Sequence, residues 1–386
     1  MMAIIQLNES HYDEVLNLSS YAFQYPLTQS ERQERAIILK EQDIYGIFHD
    51  EQLAAKLHIY PFQIWFNGQK IEMGGIAGVA TYPEYRRQGF VKDLLLHSLR
   101  EMRRNGQSVS ILHPFSIPFY RKYGWELFSY YVSVDFSVKE LVLMEEPSGY
   151  MRRRTAKATL AELRTIYDEY AKTYSGILDR KDSWWQQKVV KDCEIAIYYT
   201  KEGSPTGYIL YQVKDEKMIV DEFVALQHEA RLGLWNFICQ HDSMVQTITI
   251  TLQEHDPLLY TCLHVKERIE QKPFGMVRIV DVQRFFTLCP FLLKENDEPL
   301  FLHVLDKQAP WNRGVFKLTE GTCTKVDEFA GNRAVVIEIN HLSALLFGYK
   351  TVTDLFAIGA INGPEEEVER LAQMIPRNRP LLLDFF

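Results

Sequence analysis

Along the first third of the chain the hydrophobic period changes from strand-like to helical. Ile76-Ala77-Gly78-Val79-Ala80-Thr81 reads as a buried strand broken by Pro83, whereas Val91, Leu94, Leu95, Ser98, Leu99 and Met102 recur at helical spacing up to Asn105-Gly106. A strand, a short loop and a helix follow from that pattern. Upstream, Thr28-Gln29-Ser30-Glu31 is a capping box ahead of a helix carrying Ile37, Ile38 and Leu39. Strand-like runs lie at 44–48, 53–60 and 62–66, and Asn67-Gly68 is a hairpin turn into the run at 76–81. Further strands are expected at 109–112 and 131–138.

Glu145-Glu146-Pro147-Ser148-Gly149 has the composition of a linker, and a similar succession of elements follows it. Leu160, Leu163, Tyr167 and Tyr170 mark a helix, strands are expected at 195–199, 207–213, 218–226 and 247–252, and a helix at about 230–240. After the apolar run 276–282, strands are expected at 300–305, 315–318 and 334–339, with helices at 342–347 and 365–375. A chain of 386 residues exceeds one ordinary core. Three domains are expected, at 1–145, 146–285 and 286–386.

Composition narrows the class. Apolar content of 46% and charged content of 24% are those of a globular protein, and the net charge of -8 disfavours a general nucleic-acid binder while suiting a cationic small molecule. No apolar run has the length of a membrane span and no leader peptide is evident, so the expectation is a cytoplasmic protein without a membrane partner. Cys193, Cys239, Cys262, Cys289 and Cys323 are widely spaced and lack a Cys-x-x-Cys pair, which points away from disulfides and from a metal site.

The loop between strand and helix is Arg86-Arg87-Gln88-Gly89-Phe90-Val91. Unpaired N–H groups and the positive dipole end make a helix N-terminus an anion site, and Gly89 lets a phosphate approach the backbone. A pyrophosphate suits this loop, although a glycine turn there can also serve geometry alone. The wider string Gly78-Val79-Ala80-Thr81-Tyr82-Pro83-Glu84-Tyr85-Arg86-Arg87-Gln88-Gly89, with Phe119-Tyr120-Arg121-Lys122-Tyr123-Gly124-Trp125 after it, resembles the GNAT N-acetyltransferase superfamily. Within that superfamily it is similar to the enhanced intracellular survival acetyltransferases. Val91 departs from the Gly or Ala found in many superfamily members, while this branch accepts a larger apolar residue.

The resemblance implies an α/β and α+β architecture of tandem GNAT-like domains, the second degenerate, followed by a sterol carrier protein-like domain. Gln227-His228-Glu229-Ala230-Arg231-Leu232, at the second turn, lacks paired arginines and a well-placed glycine. Acetyl-CoA is the implied co-substrate, and an amine on a cationic small molecule, aminoglycoside-like or polyamine-like, or a protein lysine is the implied acceptor. A homo-oligomer, a hexamer, is implied as well. The family's cofactor contacts carry over onto Val79-Ala80-Thr81, onto Arg87, Gln88, Gly89, Phe90, Val91 and Lys92, and onto Phe115-Ser116.

Acetyl transfer from a thioester to an amine needs a neutral amine, oxyanion stabilisation and an acid for the leaving thiolate. Tyr120 matches the family's tyrosine as that acid, a phenol that stays protonated at neutral pH. A packing tyrosine is the plain alternative, and Tyr123 is the competing phenol. For the base, Glu72, Glu84 and His113 each have an ordinary reading as surface or supporting residues. The resemblance points instead to the α-carboxylate of Phe386, at the end of the apolar run Pro380-Leu381-Leu382-Leu383-Asp384-Phe385-Phe386. A non-catalytic acyl-CoA- or lipid-binding protein and a protein-interaction scaffold stand as contrasting function classes.

Overall fold

The computed structural model describes residues 3–261, 268–289, 293, 297–327, 331 and 333–386. Its frame is one sheet built from β1 (Ile4–Leu7), β2 (Asp43–His49), β3 (Gln52–Phe66), β4 (Gln69–Thr81), β5 (Val109–Leu112), β6 (Glu126–Ser137), β7 (Tyr150–Arg154), β8 (Glu194–Tyr199), β9 (Pro205–Lys214), β10 (Lys217–Ala225), β11 (Thr247–Leu252) and β12 (Ile269–Ile279). The spatial order is β1-β2-β3-β4-β5-β12-β6-β11-β10-β9-β8-β7. In both halves four antiparallel strands lead to a parallel pair, β4 with β5 and β10 with β11.

The centre of this sheet joins the two halves. β12 lies between β5 and β6, and β6 lies between β12 and β11, so each half contributes its last strand to the hydrogen-bond ladder of the other. Strand pairs are the unit of sheet stability, and neither half could separate without breaking three ladders, β5–β12, β12–β6 and β6–β11. Pattern reading found the run 276–282 but could not assign it a partner, because nothing local in β12 specifies its neighbours.

The runs expected at 53–60 and 62–66 form a single strand, β3, that passes through Pro61. β2 ends its pairing at Asp43 opposite Ile59, so Pro61 has a neighbour strand only on the β4 side. A proline can occupy such an open edge because no second ladder requires its missing N–H.

Helices cover the sheet as α1 (Tyr12–Phe23), α2 (Gln29–Leu39), α3 (Phe90–Arg104), α4 (Ile117–Arg121), α5 (Ala156–Ala171), α6 (Asp182–Trp184) and α7 (His228–Cys239). A π-helical turn, Trp185–Val189, continues α6. The capping box expected at Thr28 and Glu31 starts α2. α3 buries Leu94, Leu95, Ser98, Leu99 and Met102 as its sequence period implied, but its first buried residue is Phe90, while Val91 is half-buried.

The remaining residues form a second sheet of β13 (Leu300–Leu305), β14 (Gly314–Thr319), β15 (Thr322–Val326), β16 (Val335–Glu338) and β17 (Ile361–Asn362), in the order β15-β14-β13-β16-β17. Arg278 of β12 fastens this unit to the first. Its buried guanidinium reaches Asp306 at 2.7 Å and the Tyr123 carbonyl at 2.5 Å. Gly124 stands at φ +90°, and a Cβ there would come within 1.5 Å of Arg278 Nη1. That contact explains the glycine after Tyr123 on packing grounds.

Among the described residues no helix is long and apolar enough to cross a membrane, and no group of His, Cys, Asp and Glu could hold a metal. Cys193, Cys289 and Cys323 are free thiols, while Cys262 lies outside the described residues.

Candidate active site

β4 and β5 pair in parallel from Met73 with Val109 to Ile76 with Leu112, and there the pairing stops. β4 continues to Thr81 paired only with β3, which leaves a cleft edged by backbone unpaired on the β5 side. Within this stretch Gly78 and Val79 together oppose Leu57 between the pairs His58–Ala77 and Lys56–Ala80, a β-bulge. Gly78 has φ +55°, and a Cβ there would meet the His58 ring at 2.8 Å. The fully buried Lys56 Nζ donates to the Gly78 carbonyl at 2.9 Å and sits 2.8 Å from His58 Nε2. His58 Nδ1 is in turn 2.6 Å from Gln42 Oε1. Burial lowers the Lys56 pKa to about 7. The bulge is thus fixed from beneath by a hydrogen-bonded chain.

Beyond β4 the turn Pro83–Tyr85 leads to the exposed loop Arg86, Arg87, Gln88 and Gly89. Gly89 caps α3 at φ +90°, and a Cβ built on it would meet nothing within 4 Å. The first bond of the helix is Asp93 N–H to the Gly89 carbonyl, at 3.0 Å. The N–H groups of Phe90, Val91 and Lys92 therefore precede the helical ladder and are free for an anion. Phe90 is buried and fixes the helix on the sheet, while Arg87, Gln88 and Lys92 are exposed. Thr81 is buried with a hydroxyl that lacks a hydrogen-bond partner, and Ala80 packs in the core. The open cradle at Gly89 and the orphaned Thr81 hydroxyl both fit a phosphate-bearing, arm-like ligand along this edge.

On the acceptor side of the bulge lies a cavity of about 600 Å³, and its wall includes Val79, Phe115, Tyr120 and Phe386. Ala80, Thr81, Ser116 and the 87–92 loop lie outside that wall. Ser116 is the N-cap of α4. Phe115 is 74% exposed, with its ring 5.4 Å from that of Tyr120, so it forms a rim over the phenol. Tyr120 is buried, and burial pushes its pKa well up. Its hydroxyl makes no hydrogen bond to the described residues, and it lines the cavity as a free, protonated donor. The Tyr123 ring is tilted against that of Phe119, with centroids 5.3 Å apart, and lies outside the cavity wall.

His113, one of the three side chains considered for a base, lines the cavity, whereas Glu84 is exposed on the turn after β4 and Glu72 accepts a bond from Gln63 at 2.6 Å. The His113 Nδ1 lies 2.9 Å from the Phe274 carbonyl, so it carries the proton; its buried Nε2 makes no hydrogen bond of standard geometry to the described residues, although the Asp384 backbone is near enough to affect the ring's titration. Burial lowers its pKa to about 4, which keeps the ring neutral at pH 7. Phe385 and Phe386 pack on it, at 4.4 Å and 5.0 Å between ring centroids. Gly75 makes room for the last residue, since a Cβ there would meet the Phe386 ring at 2.8 Å.

The segment that brings Phe386 here is anchored in the second half of the big sheet. Leu381 N–H donates to the Ser175 carbonyl at 3.1 Å, and Leu382 N–H to the Ser129 hydroxyl at 3.2 Å. Leu381 and Leu382 enter two different cores. Asp384 is buried against Arg180 Nε, at 2.9 and 3.1 Å to its two oxygens, and accepts from Trp184 Nε1 at 2.7 Å. Arg180 also pairs with the buried Glu222, which accepts from the Tyr208 hydroxyl at 2.8 Å. Burial raises the Asp384 pKa and Arg180 opposes that rise.

Glu222 follows a bulge in β10 just past the last parallel pair, Val220 with Ile250. That position corresponds to the cleft of the first half. Residues 381–385 line this second opening together with Asp221, Glu222, Thr251 and Leu252. The second helix starts from Gln227 in an extended conformation, without the left-handed glycine that caps α3. One cleft is open beside its cap, and the other is lined by residues 381–385, ahead of the last residue.

Removing Asp384 leaves Arg180 paired with Glu222 alone and deletes the charge-assisted hydrogen bonds that tie the tail to Arg180 and Trp184, each worth about 1.5–3 kcal/mol. Asp384→Ala should therefore release the tail locally. Carboxypeptidase should free Phe386 and Phe385 at least about tenfold faster than from the unaltered protein. Unchanged resistance would mean that Leu381 and Leu382 alone hold the segment.

Residues 3–128 match an acetyltransferase (GNAT) domain model, 176–279 a second acetyltransferase (GNAT) domain model, and 282–383 a sterol carrier protein domain model. Among solved structures the chain is similar to a conserved protein of unknown function from Enterococcus faecalis V583, described as a probable N-acyltransferase, with 26% identity, complete coverage of both chains and a TM-score of 0.91. A GCN5-related N-acetyltransferase from Anabaena variabilis shares the fold at 23% identity, complete coverage of both and a TM-score of 0.85. Eis1 from Mycobacterium abscessus does so at 17% identity, again with complete coverage of both chains and a TM-score of 0.80. No curated protein matches the sequence at a significant level. The chain belongs to the GNAT acetyltransferases, as two GNAT domains in tandem followed by a sterol carrier protein-like domain.

Proposed function

We propose that the first GNAT domain transfers an acetyl group from acetyl-CoA to a primary amine bound in the 600 Å³ cavity. The observation that carries this reading is the single wall that holds Val79 of the bulge, the unpartnered Tyr120 hydroxyl and Phe386. A non-catalytic acyl-CoA or lipid binder would have no use for a free buried donor at that point.

In this reading Val79, Ala80 and Thr81 pair with the pantetheine arm. Arg87, Gln88, Gly89, Phe90, Val91 and Lys92 hold the pyrophosphate, while Phe115 and Ser116 close the thioester side. The Val79 N–H faces the thioester oxygen, and Lys56 polarises the same peptide unit through its bond to the Gly78 carbonyl. The α-carboxylate of Phe386 accepts a proton from the bound ammonium, with the neutral His113 Nε2 beside it as a second acceptor. The amine nitrogen then attacks the carbonyl carbon and forms the C–N bond. The C–S bond breaks, and Tyr120 protonates the departing thiolate. The nitrogen's second proton leaves through the same acceptors, and the phenol is reprotonated. Acetyl-CoA and a protonated amine give amide, CoA thiol and one proton.

Cationic small molecules, aminoglycoside-like or polyamine-like, and protein lysines all carry such an amine. A homo-hexamer in the cytoplasm is the assembly that the family resemblance favours for this enzyme. Its second GNAT cleft carries residues 381–385 instead of cofactor.

Gly89→Glu puts a side chain and a negative charge in the phosphate cradle. Acetyl-CoA affinity, followed by isothermal titration, should fall by about 2 kcal/mol or more. Unaltered affinity in the folded variant would remove cofactor binding from this loop. Tyr120→Phe keeps the ring and deletes the acid, so CoA-thiol release with a saturating amine should slow by about a hundredfold or more, with acetyl-CoA affinity nearly constant. Turnover at the original rate would reduce Tyr120 to packing.

A further inference from the structure

The cavity has two ends of different chemistry. Val79, His113, Tyr120 and Phe386 form the reacting end, and Arg35 from α2 lines the other with Lys188 and Lys191 from the second GNAT domain. The Arg35 guanidinium lies 4.2 Å above the Tyr25 ring and has no ion pair or hydrogen bond to the described residues. Lys188 sits 5.9 Å from the Trp184 ring centre, also without an acidic partner among the described residues. Lys191 is 4.0 Å from Glu34.

The acids on this wall do not balance those cations. Glu31 is occupied by the cap of α2, where it accepts from the Thr28 amide and hydroxyl, each at 2.7 Å. Glu34 faces Lys191. Arg35 and Lys188 are left without an ion-pair partner among the described residues; Glu31, still charged within its cap, offsets Arg35 and Lys191 only at a distance, and this end carries three cations against two acids. Packing around Lys188, together with the like charges of Arg35 and Lys191, pushes its pKa down, as expected where the local potential is positive. Between the two ends the wall is mainly aromatic, with Phe23, Tyr25, Tyr60 and Phe385.

We propose that Arg35 and Lys188 form an anion subsite, and that the acceptor is a zwitterionic amine whose ammonium and free carboxylate stand at opposite ends of an apolar or aromatic body. This rests on reading the cavity as the site of acetyl transfer. Such a molecule presents its ammonium to the reacting end and its carboxylate to the cations, so each charge meets its opposite. A polyamine or aminoglycoside would have to bring further positive charges against Arg35 and Lys188, where like charges repel and discriminate against it. Subsite residues from both GNAT domains also give the second domain a part in substrate choice after the loss of its own cofactor cap.

Matched acceptors test this on the full chain, by CoA-thiol release at saturating acetyl-CoA. The panel is 4-(aminomethyl)benzoate, in which the amine and the carboxylate stand at opposite ends of a ring, its methyl ester, benzylamine and spermidine. The zwitterion should exceed the other three in kcat/KM by about tenfold or more, the scale of a partly solvated charge contact made twice. In the double variant Arg35→Gln, Lys188→Gln that ratio should shrink towards one, mainly through a higher KM for the zwitterion. Acetyl-CoA affinity measured in the same preparation reports that the first domain is folded. An ester, amine or spermidine that matches or outperforms the zwitterion would overturn the subsite while leaving amine acetylation intact. So would a preference that survives in the double variant. Acetyl-CoA binding with no CoA release from any amine would overturn the transfer reading itself.

Discussion

Arg180 is buried with two carboxylates, Asp384 and Glu222, and the position of the last residues depends on that contact. Two acids around one base leave an excess of negative charge in a dry setting, tolerable only when lone pairs are occupied. Trp184 Nε1 and the Tyr208 hydroxyl occupy them, and Arg180 lies over the rings of Tyr167 and Trp185 at 4.3 and 4.6 Å. Losing Arg180 would leave two uncompensated carboxylates among aromatic side chains. The anchor therefore depends on Arg180, and through it a tail of seven residues is held to the geometry of a cavity in another domain.

The anchor works because the two GNAT domains are one rigid sheet. β6 and β12 lie side by side at its centre, each paired to a strand of the other half. Arg180, Ser175 and Glu222 consequently keep a fixed distance from the β4 bulge. Arg278, buried against Asp306, fixes the third unit from which the tail emerges. The second cleft no longer has a left-handed glycine cap and serves as the seat of residues 381–385.

Features with a local cause were legible in the sequence. The strand, loop and helix around Gly89 could be read because a left-handed cap and a change of period are properties of neighbouring residues. Tyr120 could be read from its spacing to Tyr123 and Gly124, although the reason for that glycine, the Arg278 guanidinium, comes from far along the chain. The apolar tail signalled docking but not its dock. Arg180 and Asp384 are 204 positions apart, and a lone buried Arg or Asp carries no periodic mark. The same holds for Arg35 and Lys188, which belong to one wall only after the two domains share a sheet. Pro61 misled the strand pattern because an open edge is a fact of pairing, not of composition.

The central claim is that the end of the chain belongs to the site of acetyl transfer. Adding two or three residues after Phe386 converts its carboxylate to an amide and pushes the new terminus out of the cavity, while the Gly89 loop is untouched. With one amine acceptor, kcat should drop by about a hundredfold or more, because a displacement of about 1 Å at a reacting group already costs that much. Acetyl-CoA affinity should stay as it is. Equal kcat for the extended and the unextended chain would contradict the account, and would leave residues 380–386 as a packing segment alone.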